Sequence, residues 1–131
     1  MTEEQITYQI RGAIYDVYKA LGPGLLEGIY EEVLTYELQK RGLKVDRQQE
    51  VPIRYDGQLL NTRLRLDMMV EDSIIIELKS AQELLPVHFM QTRTYLKLLN
   101  KHIGILVNFN TGNILKDSIY TVLNNSNTHS D

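Results

Sequence analysis

The run Ile74-Ile75-Ile76 constrains this chain more than any other feature of its sequence. Consecutive β-branched residues favour a β-strand, and an unbroken apolar run indicates a strand that is covered on both faces. Two charged residues follow at once, Glu77 and Lys79, and alternation along the strand places them on one face. We therefore predict a central strand of a covered sheet, whose end carries charges that are not simply solvated.

The rest of the chain provides the helices and further strands of such a fold. Apolar residues recur at helical spacing from Ile6 to Leu21, and the pattern predicts a second helix over about Glu27–Arg41. Further predicted segments follow: strands at Lys44–Tyr55, Gln58–Val70, Ile74–Ser80 and His102–Asn108, a helix from Pro86 to about Lys101, and a short strand or helix around Ile114–Leu123. The order α-α-β-β-β-α-β predicts an α/β (α+β) domain with helices packed on a mixed central sheet.

The length of 131 residues suits one domain, which we expect to span residues 1–123 and to be followed by a disordered polar tail at 124–131. Because there is no cysteine, disulfides, Cys-ligated metals and thiol nucleophiles are excluded. A bound metal would be a hard cation held by carboxylates. The acidic N-terminus and the lack of a long apolar run favour a cytoplasmic protein without a membrane partner.

Two acidic residues are predicted to meet across a hairpin. If the turn is centred on Asp72, Val70 faces Ile74 and Asp67 lies directly opposite Glu77. Opposed like charges destabilise a sheet, so the pair needs a reason. It is either an edge pair open to water or two oxygen ligands of a divalent cation, beside which Lys79 could orient a water or stabilise a phosphate.

The net charge of −3 argues at first against a nucleic-acid partner, but the charge is unevenly distributed. Residues 1–39, 40–65 and 66–131 carry net charges of −5, +4 and −2. The basic segment ends in Arg63 and Arg65, which alternation places on the same face as Asp67. We expect a basic strip beside the acidic pair, although a solvated surface explains the segment equally well.

The third predicted helix has two adjacent stripes. His88, Gln91 and Tyr95 share one face, and we expect the other stripe to be core: Val87, Met90, Thr94 and Leu98. His88 taken alone is slightly better explained as a helix-start histidine that satisfies a backbone group, and the alternative is a role in the site as a substrate-binding residue. We interpret the tyrosines of the second helix, Tyr30 and Tyr36, as packing residues.

The combined pattern resembles the PD-(D/E)xK nuclease superfamily and, within it, the proteins named for a GxxExxY motif. The segments that carry this resemblance are Gly24-Leu-Leu-Glu27-Gly-Ile-Tyr30, Gln49-Glu-Val-Pro-Ile53, Arg65-Leu-Asp67, Glu77-Leu-Lys79 and Gln91-Thr-Arg-Thr-Tyr95. Leu66 stands where the superfamily motif has proline, which supplies no ligand. The resemblance implies a restriction-endonuclease-like core and a nuclease that hydrolyses DNA with Mg²⁺ or Mn²⁺.

The resemblance also implies roles for individual residues. Asp67, Glu77 and the backbone carbonyl of Leu78 would hold the metal, Glu27 would be a further acid, and Lys79 would be the catalytic lysine. Gln91 and Tyr95 match the QxxxY element of RecB-like members, which supports the site and contacts substrate phosphate. Glu27 has a second explanation, because an acid in a first helical turn is favoured by the helix dipole.

Two other readings of the sequence stay open. The same fold could serve as a silent nucleic-acid-binding or protein-interaction module, or the chain could be a structural oligomer that pairs through a sheet edge. A chain of this length has no separate domain for reading DNA sequence, so a second copy or a protein partner could supply specificity.

Overall fold

The computed structural model describes residues 1–114 and 118–124. Its elements in chain order are α1 (Glu3–Leu21), α2 (Glu27–Lys40), β1 (Val45–Val51), β2 (Arg54–Tyr55), β3 (Gln58–Leu59), β4 (Leu64–Val70), β5 (Ile74–Lys79), α3 (Pro86–Leu99), β6 (Ile103–Asn108) and β7 (Ile119–Leu123). Residues 125–131 of the predicted tail lie outside the described ranges. None of the helices within those ranges has both the length and the apolar character needed to cross a membrane.

Five strands form one mixed sheet in the order β1-β4-β5-β6-β7. The β5–β6 pair is parallel, whereas the other neighbours are antiparallel. The sheet has α1 and α2 on one face and α3 on the other. The buried residues accordingly form two separate clusters, one between the sheet and α1 and α2, and one between the sheet and α3. Ile74 and Ile76 belong to the cluster of α1 and α2, whereas Ile75 belongs to that of α3. The predicted fold class and the double coverage of this strand are confirmed.

Each of the two longest predicted strands is divided in two. β1 ends at Val51 because Pro52 has no N–H to donate to a ladder, and the chain resumes as the small β2–β3 hairpin. Asp56 and Gly57 connect this hairpin with φ values of 52° and 76°, the positive pair of a type I′ turn. The predicted Asp-Gly turn is therefore confirmed, and the final element is the strand β7.

The helix α3 approaches the sheet closely at one point. A Cβ atom on Gly104 of β6 would lie 3.0 Å from Cγ2 of Thr92, so any larger residue would force Thr92 to shift. Thr92 is buried, and with Tyr95 and Leu96 it forms the sheet-facing side of α3. The predicted core stripe is wrong, because the side chains of all its members are exposed: Val87, Met90, Thr94 and Leu98. Of the two predicted stripes, only Tyr95 of the other one is buried against the sheet, beside Thr92 and Leu96.

Candidate active site

The ladder between β4 and β5 changes character where the two acidic residues lie. Its pairs are Val70–Ile74, Met69–Ile75 and Met68–Ile76, which confirms the predicted register over this stretch. Beyond the pair Met68–Ile76, the Leu78 N–H donates to Oδ2 of Asp67 at 2.8 Å. The side-chain carboxylate of Asp67 thus accepts a hydrogen bond that a backbone carbonyl of the neighbouring strand would accept in a regular ladder.

The strands β1 and β4 switch faces at the same place. Met68 packs in the cluster of α1 and α2, whereas Leu66 packs in the cluster of α3, although strict alternation would put both on one face. The predicted pairing of Leu66 with Leu78 on a common face is therefore wrong. Gln48 of β1 lies opposite Asp67, between the pairs Arg47–Met68 and Gln49–Leu66, and has a φ of 50°. A left-handed backbone at a residue other than glycine costs of order 1 kcal/mol, and it interrupts the pleat of the strand.

The carboxylates of Asp67 and Glu77 are neighbours at this interruption. The Asp67 N–H donates to Oε2 of Glu77 at 3.4 Å, a long hydrogen bond. Glu77 is buried at 7% exposure, and its Oε1 has no hydrogen-bond partner among the described residues. A buried carboxylate oxygen without a partner is costly, so this atom is the least satisfied part of the site.

The protonation of Glu77 follows from this environment. Burial, and then the adjacent Asp67 carboxylate, raise the pKa of Glu77 to about 10, while Lys79 acts in the opposite direction. Without a bound cation, Glu77 therefore carries a proton at neutral pH. A divalent cation would take the place of that proton, because it stabilises both carboxylates in their charged form.

Tyr95 reaches the same site from α3. Burial raises the pKa of its hydroxyl, and the charges of Glu77 and Asp67 raise it further, so the hydroxyl is close enough to the acidic pair to feel its charge. Gln91 lies one helical turn earlier and is exposed. His88 takes the helix-start role, because its Nδ1 accepts a hydrogen bond from the Leu85 N–H at 3.0 Å.

Glu27 is exposed in the first turn of α2. Within the described part of the chain, no three His, Asp or Glu side chains come together as a metal-binding group, so Glu27 stands apart from Asp67 and Glu77. The loop before it is nevertheless fixed to the end of β5, since Oγ of Ser80 donates to the Leu25 carbonyl at 2.5 Å. Glu27 thus begins a helix whose approach to the site is set by β5.

Tyr30 holds that loop together from inside the core. Its hydroxyl donates to the Gly22 carbonyl at 2.5 Å and accepts from the Leu25 N–H at 3.1 Å. Its ring stacks on Phe109 with centroids 4.4 Å apart and planes within 4°. Tyr30 is a packing residue as predicted, and its hydroxyl also fixes the loop between α1 and α2. Tyr36 is 64% exposed, so its assignment to packing is wrong.

Lys79 ends β5 on the same face as Glu77, and the segment that follows is held by Asn108. The buried Asn108 amide accepts from the Ala81 N–H at 3.1 Å and donates to the Ala81 carbonyl at 2.9 Å. Sequence reasoning missed this residue. The available signal was a polar side chain directly after the apolar run Ile103–Val107.

The basic strip beside the acidic pair stays a prediction. Leu64 and Leu66 pack toward α3, and alternation places Arg65, which lies between them in β4, on the opposite face of the sheet. Five basic residues of the segment form ion pairs: Lys40–Glu37, Arg41–Asp16, Lys44–Asp46, Arg47–Glu31 and Arg63–Glu50. Much of the segment's positive charge is therefore balanced within the protein.

A second missed feature lies behind Asp67. Glu31 of α2 is 8% exposed, and both of its carboxylate oxygens are occupied by consecutive residues of β1. Arg47 Nε donates to Oε2 at 3.0 Å, and Gln48 Nε2 donates to Oε1 at 2.7 Å. We call these three residues the Glu31 clamp. Consecutive residues of a regular strand point to opposite faces, so the clamp depends on the backbone distortion at Gln48.

A mixed sheet between helical layers, with two carboxylates and a lysine where neighbouring strands separate, defines a nuclease-like α/β fold. The chain matches the family model of the PD-(D/E)XK nuclease superfamily over residues 4–122 and belongs to that superfamily.

The chain is also similar to a solved structure, titled "Crystal structure of SSO0001", with a TM-score of 0.56 and 26% sequence identity. That alignment covers 73% of this chain and 48% of the other, so the chain spans about half the length of the solved protein. No curated protein matches the chain.

Proposed function

We propose that the protein is a metal-dependent nuclease that hydrolyses phosphodiester bonds of DNA. The observation that carries this proposal is the pair of Asp67 and Glu77, in which one buried carboxylate has an unpartnered oxygen beside a second carboxylate. Paired acids of this kind suit a hard divalent cation, Mg²⁺ or Mn²⁺.

The residues present fit such a cation. Among the described residues Oε1 of Glu77 lacks a hydrogen-bond partner, and once Glu77 gives up its proton, the repulsion between the two adjacent carboxylates requires a compensating charge. Asp67 and Glu77, with the Leu78 carbonyl, would hold it, and Glu27, which stands apart from this pair, would be the further acid that helps hold the cation or its water. The chemistry that the cation supplies is a water of lowered pKa and a balance for negative charge on the phosphate.

The chain's own side chains have separate tasks in this proposal. Lys79, on the same face as Glu77, orients the attacking water or stabilises charge that develops on the phosphate. Tyr95 and Gln91 bind the substrate phosphate from α3, and the influence of the acidic pair on the pKa of the Tyr95 hydroxyl supports this task for Tyr95. His88 is tied to the start of α3, which supports a positioning task for it.

The test is cleavage of single-stranded and double-stranded DNA in the presence of Mg²⁺ or Mn²⁺. We expect Glu77→Gln and Lys79→Ala to lose cleavage, whereas Glu32→Gln and Lys19→Ala, which change exposed residues of the helices, retain it. No cleavage by the wild type, or cleavage that survives both site substitutions, would contradict the proposal. Calorimetric binding of Mn²⁺ without cleavage would instead support a silent binding module.

A further inference from the structure

The Glu31 clamp occupies a position that makes it more than a contact between a helix and a strand. Gln48 and Asp67 are the two residues that the β1–β4 ladder leaves unpaired between Arg47–Met68 and Gln49–Leu66, and the φ of 50° at Gln48 marks the interruption at which both strands switch faces. Asp67 is also the residue whose carboxylate replaces a backbone acceptor for Leu78. The distorted backbone at Gln48 and the acidic pair therefore belong to the same irregularity in the sheet.

The clamp holds that irregularity in place from behind. Glu31 is 10% exposed at its side chain, and it needs both partners because a buried carboxylate without them would be uncompensated. Gln48 can reach Oε1 only while its backbone leaves the regular pleat, since Arg47 already points to the same carboxylate. The burial of Glu31 thus favours the left-handed conformation at Gln48.

We infer that Glu31 is a positioning residue, which acts through the backbone of Gln48 to hold Asp67 against the Leu78 N–H and beside Glu77. This inference deepens the proposed function, because it rests on the same acidic pair. Glu31 touches neither the pair nor the substrate side of the sheet. Its effect passes from α2 through β1 to β4.

The first test measures the site without any reaction. Amide hydrogen exchange at Leu78 reports whether Asp67 still accepts from it. We expect Glu31→Ala to accelerate exchange at Leu78 at least tenfold more than at the amides of β6. The matched control is Leu38→Ala, which removes a fully buried side chain from the same helix but leaves the clamp intact, and which should accelerate both sites in proportion.

The second test is a rescue. Glycine adopts a positive φ without a side-chain contact, so Glu31→Ala combined with Gln48→Gly should recover most of the Leu78 protection that Glu31→Ala loses. An ion pair that merely joins α2 to β1 would not be rescued in this way. If Glu31→Ala does not fold, Glu31→Gln, which keeps one acceptor oxygen, serves in its place.

Mn²⁺ binding then connects the clamp to the metal site. Calorimetry should show at least tenfold weaker Mn²⁺ binding in Glu31→Ala and wild-type binding in folded Leu38→Ala. In DNA cleavage by Glu31→Ala, kcat should fall, whereas KM should not rise. Equal changes at Leu78 and β6, or a double variant no better than Glu31→Ala, would overturn the inference. Failure of the wild type to cleave DNA would count against the proposed function alone, since the exchange measurement does not depend on catalysis.

Discussion

The raised pKa of Glu77 predicts that the metal-free protein loses stability as the pH rises. An unfolded chain releases the Glu77 proton near its ordinary pKa of 4.5, whereas the folded protein keeps it until about pH 10. Between these values the folded state binds one more proton than the unfolded state, so the free energy of unfolding falls with increasing pH. The stabilising contribution is complete below the unfolded pKa and is lost progressively up to the folded pKa.

The magnitude follows from the size of that window. One proton corresponds to about 1.4 kcal/mol per pH unit, so the change between pH 5 and pH 8 is at most about 4 kcal/mol. A domain of this size unfolds with roughly 5–15 kcal/mol, and the effect is a large share of that total. Glu77→Gln keeps the shape of the side chain but cannot titrate, so its free energy of unfolding should lack this dependence on pH.

Urea denaturation followed by circular dichroism in the presence of EDTA provides the assay. Wild type, Glu77→Gln and Glu32→Gln are compared at several pH values from 5 to 8, and the other titrating groups cancel in the differences. From pH 5 to pH 8, we expect the free energy of unfolding of Glu77→Gln to rise by up to about 4 kcal/mol relative to that of the wild type. The free energy of unfolding of Glu32→Gln should change with pH as that of the wild type does. Parallel profiles for the wild type and Glu77→Gln would refute the reasoning.

Three further predictions concern the metal, the loop before α2 and the packing of α3. At pH 8, Mn²⁺ at a hundredfold excess over its Kd should stabilise the wild type by about 2.7 kcal/mol but leave Glu77→Gln unchanged, as measured by thermal denaturation. Tyr30→Phe should lower the free energy of unfolding in urea by about 1–3 kcal/mol, because the part-buried Leu25 N–H and Gly22 carbonyl both lose their hydrogen-bond partner. Gly104→Ala should lower the free energy of unfolding by about 1–3 kcal/mol and lower the melting temperature, since its Cβ would lie 3.0 Å from Thr92 Cγ2. Adding Thr92→Ser to this variant removes that methyl group and should restore most of the lost melting temperature.

The hairpin that carries the acidic pair could be predicted because its information is local. The residues Val70 and Ile74 flank a short turn, and matching apolar residues on both strands fix the register without knowledge of the rest of the fold. The double coverage of Ile74–Ile76 could likewise be predicted, since only a buried strand tolerates three isoleucines in a row.

The switch of faces at Asp67 could not be predicted in the same way. Alternation assumes a regular pleat, and no sequence pattern marks Gln48 as a residue with a positive φ. That conformation depends on Glu31, which is 17 residues away in the chain and belongs to another element. The error about the face of Leu66 follows from this irregularity in the sheet.

The contacts that fix the loop before Glu27 also set the order in which the site can assemble. Asp67 and Leu78 are 11 residues apart, whereas Ser80 must find Leu25 across 55 residues. Closing the shorter loop costs less chain entropy, so we expect the acidic hairpin to form early during folding and the start of α2 to dock late. Substitutions in the late contacts should therefore speed unfolding more than they slow folding. The acidic pair can then form in a folding chain before the first turn of α2, which bears Glu27, has docked.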